Sequence, residues 1–149
     1  MPSPRFGIRA SLFLAILLAL APIARAGQVE VEVAGVEAPR GVVRVALCTE
    51  QTFLKLDCPY NAEAPATPGT TLVTFQDVPP GVYAAQVFQD YTEQGVVHRN
   101  FLGVPREPIG FSNNANIGLH GPSFRSAAFS VGAGVKRISL RLRRLFGRL

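Results

Sequence analysis

Residues 70–88 read TTLVTFQDVPPGVYAAQVF, two apolar-rich stretches joined by one turn. In the first, Val73 and Phe75 share one side of an alternating pattern while Thr74 and Gln76 share the other. That period of two predicts a half-buried strand over Thr70 to Asp77. The joint, Val78-Pro79-Pro80-Gly81, is a turn by its chemistry: proline fixes φ and glycine permits φ > 0. Beyond it, Val82 to Phe88 is apolar on both sides except at Gln86, which suits a central strand covered on both faces.

The pattern extends outward in both directions. Gln28 to Val36 alternates Val29, Val31 and Val33 against Glu30 and Glu32. After Pro39-Arg40-Gly41, Val42 to Cys48 is β-branched and apolar, a second strand. Glu50 to Lys55 has room for one helical turn, and Pro59 to Gly69 reads as loop because Pro59, Pro65 and Pro68 block regular pairing. On the C-terminal side, Ala127 to Val131 and Arg137 to Leu142 are the last strands, with Ile138, Leu140 and Leu142 alternating with Ser139, Arg141 and Arg143. Short strands, turn signals between them and no helical periodicity predict an all-β antiparallel sandwich. The Pro80-Gly81-x-Tyr83 step matches the tyrosine corner of immunoglobulin-like sandwiches, where a tyrosine hydroxyl pins a turn. There is no internal repeat and no linker, so residues 27–149 are expected to form one domain.

Residues 1–26 carry the three parts of a cleavable secretory signal in order. Arg5 and Arg9 precede an apolar run from Ala10 to Ala21, and Ala24 and Ala26 form an A-x-A site that predicts Gly27 as the mature start. The run is shorter than the roughly 20 residues of a spanning helix and is broken by Pro22. No transmembrane segment is expected after cleavage, and no cysteine follows to carry a lipid. A periplasmic or secreted protein is therefore expected. Of 15 Lys and Arg, three leave with the leader, so twelve bases face ten acids, a mature charge of +2. Residues 136–149 hold Lys136, Arg137, Arg141, Arg143, Arg144 and Arg148 with no acid, leaving residues 27–135 at −4. Cys48 and Cys58 are the only cysteines. In an oxidising compartment, at a spacing too wide for a C-x-x-C motif, they predict a structural disulfide.

The stretch from Gln89 to Arg125 is different: little strand pattern, many glycines and prolines, and three phenylalanines, Phe101, Phe111 and Phe124. Long loops in compact domains are usually functional or disordered. The phenylalanines predict an ordered loop anchored on the sandwich. Its polar cluster, Ser112-Asn113-Asn114, reads in two ways. The side chains face a ligand such as a sugar or a peptide backbone, or they cap turns and bond local backbone. His98 and His120 also lie here, but with Asp90 they match no metal spacing, so no metal is expected. Ser112 and Ser123 lack a G-x-S-x-G elbow, and no phosphate loop or dinucleotide fingerprint appears, so no catalytic residue and no cofactor are assigned. The basic tail reads either as the solvated side of a last strand with free final residues, or as a surface that lies on an anionic membrane leaflet. Nucleic acid is excluded by compartment.

Asp77, Pro79, Gly81 and Tyr83, then Phe88, Asp90, Gly95 and Asn100-Phe101-Leu102-Gly103 with Pro105, then Gly110-Phe111-Ser112-Asn113-Asn114-Ala115 and Gly121-Pro122-Ser123-Phe124 form one ordered set of motifs. In these the chain resembles the exported bacterial "domain of unknown function 2141" family. The resemblance implies an immunoglobulin-like or transthyretin-like sandwich and supplies no activity. Family members carry D-E-N-G-N-G-K-L-D after the Phe, which resembles a calcium loop with oxygen ligands at alternate positions. Here the segment is Asp90-Tyr91-Thr92-Glu93-Gln94-Gly95-Val96-Val97-His98. Thr92 and Gln94 stand where the family has Asn, and His98 where it has Asp, so a hairpin turn at Gly95 is expected in place of a tight calcium site. The combined expectation is a non-enzymatic exported sandwich that binds a glycan, a peptide or an envelope component through residues 89–125, with Asp90, Asn100, Ser112, Asn113 and Asn114 as candidate ligand residues. The alternatives are an envelope-surface protein docking on anionic lipid or lipopolysaccharide through its tail, and a hydrolase using a loop histidine.

Overall fold

The valines of the first strand set the architecture. Val29, Val31 and Val33 are fully buried, and the glutamates between them lie partly or wholly in solvent, so β1 (Gly27–Val36) packs one face inward. We describe residues 1, 25–118 and 120–145 of a computed structural model; most of the segment expected to be a leader, and Arg148 in the tail, lie outside the described residues. Seven strands follow: β2 (Val42–Cys48), β3 (Tyr60–Pro65), β4 (Gly69–Val78), β5 (Gly81–Asp90), β6 (Ile109–Phe111), β7 (Ala128–Val131) and β8 (Gly134–Arg141).

They form two sheets. One is β4-β1-β8, and the other runs β3-β2-β5, with the far edge of β5 shared by β6 and β7. Between them lies a core of alternating residues from both: Val31, Val33, Val73 and Phe75 against Val43, Val45, Leu47, Tyr83, Ala85 and Val87. The Tyr83 hydroxyl donates to the Pro79 carbonyl at 3.0 Å, completing the tyrosine corner. The β1–β2 turn passes so close to the end of β5 that a Cβ on Gly41, whose φ is 69°, would lie 1.9 Å from the Asp90 carbonyl oxygen. Fully buried Gln89 holds the same turn: its amide nitrogen donates to the carbonyls of Ala38 and Arg40, and its oxygen accepts from the Glu37 N–H.

Three expectations are corrected. The stretch Pro59–Gly69, expected as loop, contains β3, paired antiparallel to β2 from Leu47↔Tyr60 to Val42↔Pro65. It is an edge strand, and Pro65 is its last residue, where a missing N–H costs no ladder bond. The sandwich is also not wholly antiparallel: β8 runs parallel to β1, in register from Gly27↔Gly134 to Ala34↔Arg141. The two are remote in sequence, and the direction is set by a crossover at residues 132–134 from β7 in one sheet to β8 in the other. Finally, β6 is a short strand inside the stretch read as strand-poor, pairing with Gln86–Phe88 of β5.

The five-stranded sheet has a second covered face. Cys48, Ala84, Ile109, Phe111, Ala115 and Ala127 form a second buried cluster there with Phe53 and Cys58. Phe53 meets the rings of Phe111 and Phe124 edge-on, each at 5.8 Å. The cover consists of the turn between β2 and β3 and the long segment between β5 and β7.

Candidate functional site

The outward positions of β2 and β5 alternate with the core residues, so Arg44 and Ala46 share the outer face with Gln86 and Phe88. Two segments rise from the ends of this floor. At one end the β2–β3 turn is closed by the Cys48–Cys58 disulfide, as the cysteine count predicts. Its first residues make one helical turn, the Phe53 N–H donating to the Thr49 carbonyl at 2.9 Å. The Gln86 amide fixes the turn to the floor, accepting from the Leu54 N–H at 3.0 Å and donating to the Lys55 carbonyl at 2.8 Å.

At the other end Asp90, 1% exposed, organises the chain leaving β5. One carboxylate oxygen accepts from Arg44 Nε at 2.8 Å and the Gly95 N–H at 2.7 Å, and the other accepts from the Thr92 N–H and hydroxyl. Burial opposes its ionisation, but the Arg44 hydrogen bond and the N–H groups of Gly95 and Thr92 outweigh that and hold the carboxyl at about 2. Arg44 also pairs with Glu63 on β3. Gly95 adopts the positive φ expected of the turn, 75°. Both Asp90 oxygens are engaged by protein donors, and among the described residues no group of three His, Cys, Asp or Glu side chains is placed to hold a metal.

The hairpin that follows is held by Asn100. Its side-chain oxygen accepts from the N–H groups of Leu102 and Val104, both at 3.0 Å. His98 lies at the base: Nδ1 is 2.6 Å from Glu107 Oε1, Nε2 is 3.1 Å from Gln94 Oε1, and its backbone N–H donates to the other Glu107 oxygen. Glu107 is buried. At the tip Phe101 is 94% exposed and Leu102 71% exposed. Of the three phenylalanines expected to anchor the loop, Phe111 and Phe124 pack inward and Phe101 does not. The tip turn is closed by Asn100 and by the Arg99 guanidinium, which donates to the Gly103 carbonyl at 2.9 Å.

The Ser112-Asn113-Asn114 cluster is spent on backbone. Buried Ser112 accepts from the Ala85 N–H at 2.9 Å and donates to the Ala127 carbonyl. Asn113 donates to the carbonyls of Ala128 and Ser126, and Asn114 accepts from the Arg141 N–H at 2.8 Å. Together they join β6 to β5, β7 and β8. Both asparagines have positive φ, a conformation their side chains tolerate.

Between the rising segments lies an open cleft of about 1380 Å³. Ala46, Gln86 and Phe88 form its floor; Leu54 and Leu56 stand on one side, Val96, Val97 and Leu102 on another, and Ile117 and His120 complete it. None of Asp90, Asn100, Ser112, Asn113 and Asn114 lines it; each supports a segment that does, or the strand behind it. Apart from His120, one of the two loop histidines of the hydrolase alternative, the lining residues are absent from the sequence-derived candidates. The signal that pointed toward them is the apolar outer face of β5, since a strand covered on both faces needs a covering layer.

The tail is also docked. Arg144 makes a two-nitrogen pair with Glu37, and its guanidinium stacks on Tyr91, as Arg40 does. The Arg143 backbone bridges Ile109. The final residues were expected to be free; through Leu145, the last one described, the chain is held by these contacts, while Arg141 points outward.

The sequence model of a family described as an uncharacterized protein conserved in bacteria (DUF2141) matches residues 31–139. The chain belongs to this family. No curated protein matches it in sequence. Among solved structures, this DUF2141 protein is similar to a pilus-presented adhesin (Cpa), with 14% identity and a TM-score of 0.23 over 84% of this chain. It spans 28% of the length of the adhesin chain. Residues 90–98, the stretch compared above with a calcium loop, form the Asp90-centred turn and the first arm of the hairpin beside the cleft. Among the described residues no helix is long and apolar enough to cross a membrane.

Proposed function

We propose that this DUF2141 protein is an exported, non-catalytic binding module that seats an apolar ligand in the cleft on the outer face of its five-stranded sheet. The observation that carries this reading is the wall of the cleft: Leu54, Leu56, Val96 and Leu102 remain exposed around a concave floor of Ala46 and Phe88. Apolar concavities with few polar groups are where small ligands bind. Export is supported by the leader-like residues 1–26 and by the disulfide, which persists in oxidising compartments. A hydrolase has less support, because both ring nitrogens of His98 are engaged by Glu107 and Gln94. Docking on anionic lipid or lipopolysaccharide through the tail also has less support, because Arg144 is committed to Glu37.

The test uses the uncharged probe N-phenyl-1-naphthylamine, whose emission rises in apolar surroundings. Saturable binding is expected, and Ala46→Trp, which fills the floor, is expected to abolish it without loss of the folded state by circular dichroism. No binding, or binding unchanged in folded Ala46→Trp, would refute the reading.

A further inference from the structure

The cleft's hydrogen-bonding groups and charges narrow the class of ligand. Four side chains supply the polar surface of the floor and the β3 side: Gln86, Asn61, Arg44 and Glu63. The Gln86 oxygen and nitrogen are both bonded to the β2–β3 turn, and the Asn61 nitrogen donates to the Cys58 carbonyl. Arg44 is divided between Asp90 and Glu63. The backbone beneath belongs to the sheet ladders. A sugar ring or a peptide backbone laid here would give up its water with few partners in return, leaving polar groups unpaired. A hydrocarbon chain needs no partner.

The charges of the rim are one-sided. Among the described residues Lys55 and Arg99 line the cleft, and the sole lining carboxylate, Glu63, is paired with Arg44. Lys55 and Arg99 form no ion pair among the described residues. They stand on different walls, one on the disulfide-closed turn and one on the hairpin. Glu50 and Asp57 share the turn of Lys55, and Glu93 shares the hairpin of Arg99, but none of the three lines the cleft. One Arg99 nitrogen donates to the Gly103 carbonyl at 2.9 Å, which positions the guanidinium at the hairpin tip. Its other N–H groups have no partner among the described residues.

Resting on the cleft reading above, we propose that the ligand is an anionic amphiphile: an acyl chain lies on the Ala46–Phe88 floor, and its carboxylate or phosphate head meets Arg99 or Lys55 at the rim. A volume of about 1380 Å³ exceeds the roughly 300–1,000 Å³ of ordinary small-ligand sites and accommodates a long chain.

The experiment displaces bound N-phenyl-1-naphthylamine with three amphiphiles of equal chain length, each below its micelle concentration: dodecanoate, dodecanol and dodecyltrimethylammonium. Dodecyl phosphate is run alongside to separate a carboxylate head from a phosphate one. Dodecanoate or dodecyl phosphate is expected to displace the probe at about one tenth the concentration needed by the cation, a preference that shrinks with added salt. In Lys55→Gln/Arg99→Gln that preference is expected to fall below about threefold while binding of dodecanol is unchanged. Equal displacement by all three heads would overturn the anionic class and leave the apolar cleft standing. Displacement by none, with a probe that itself fails to bind, would remove both.

Discussion

The two faces of the five-stranded sheet are built by different means. On the inner face, β-branched side chains of one sheet fill the spaces of the other, and no single polar group is needed to hold the layers together. On the outer face, loops and a turn are fastened one contact at a time: the Cys48–Cys58 bond, the Gln86 amide, the Asp90 carboxylate, Asn100, and the Ser112-Asn113-Asn114 cluster. Packing by alternation fills the inner gap with buried side chains. Fastening by separate staples leaves room between them, and that room is the cleft. The polar residues that look ligand-like in the sequence are thus the supports of the cleft, while its lining is largely apolar.

This difference can be broken from either side. Truncation on the inner face, Leu47→Ala, is expected to have the largest effect on stability, about 2–5 kcal/mol. It should leave probe affinity per folded molecule unchanged, as read from denaturant unfolding beside probe titration. Removing the outer staple with Cys48→Ala/Cys58→Ala is expected to cost about 2.5–3 kcal/mol, from the closure entropy of so short a loop. Unlike the core truncation it should also weaken probe binding, because Leu54 and Leu56 stand on the freed turn. A disulfide variant with full probe affinity would show that the turn is no part of the seat.

Asp90 gives a smaller effect with a defined pH window. Its carboxyl is held at about 2 in the folded chain, below the unfolded value of about 3.9. A group with a depressed folded pKa contributes stability that is fully present above the unfolded value and is lost as pH falls through the folded one. Roughly 2 kcal/mol should therefore disappear between about pH 4 and pH 2. In Asp90→Asn this component of the acid dependence should be missing, as urea melts across that range would read. The smallest expected effect is Tyr83→Phe, about 1 kcal/mol for one hydrogen bond to the Pro79 carbonyl, with no change at the cleft.

How much of this was legible in the sequence follows the same division. The alternation of Val29, Val31 and Val33, the Pro79-Pro80-Gly81 turn and the doubly apolar β5 announced the sandwich, because period-two burial is written residue by residue. The Cys48–Cys58 bond was legible from count and compartment. Strand β3 was not: Asn61, Glu63 and Pro65 look like loop, and only the edge position, a tertiary fact, permits them. Nor was the parallel course of β8, since alternation carries no direction. At the site, Ser112, Asn113 and Asn114 were recognisable as a polar cluster that either binds ligand or ties backbone. Which carbonyl or N–H each meets depends on where β7 and β8 fall, and no local pattern encodes that. Phe101 looked like an anchor because a phenylalanine in a loop usually finds a core; here Asn100 closes the turn and leaves the ring outside.

On this reading the outer face, and no other surface, receives an amphiphile. The most direct test is a ¹⁵N–¹H correlation spectrum of the oxidised protein titrated with dodecanoate below its micelle concentration. Progressive shifts are expected for the Gln86 side-chain amide and the backbone amides of Val97, Arg99 and Leu102, with Val31 and Val73 of the opposite sheet unmoved. Shifts confined to the tail around Arg141 and Arg143, or no shifts at saturating ligand, would contradict it.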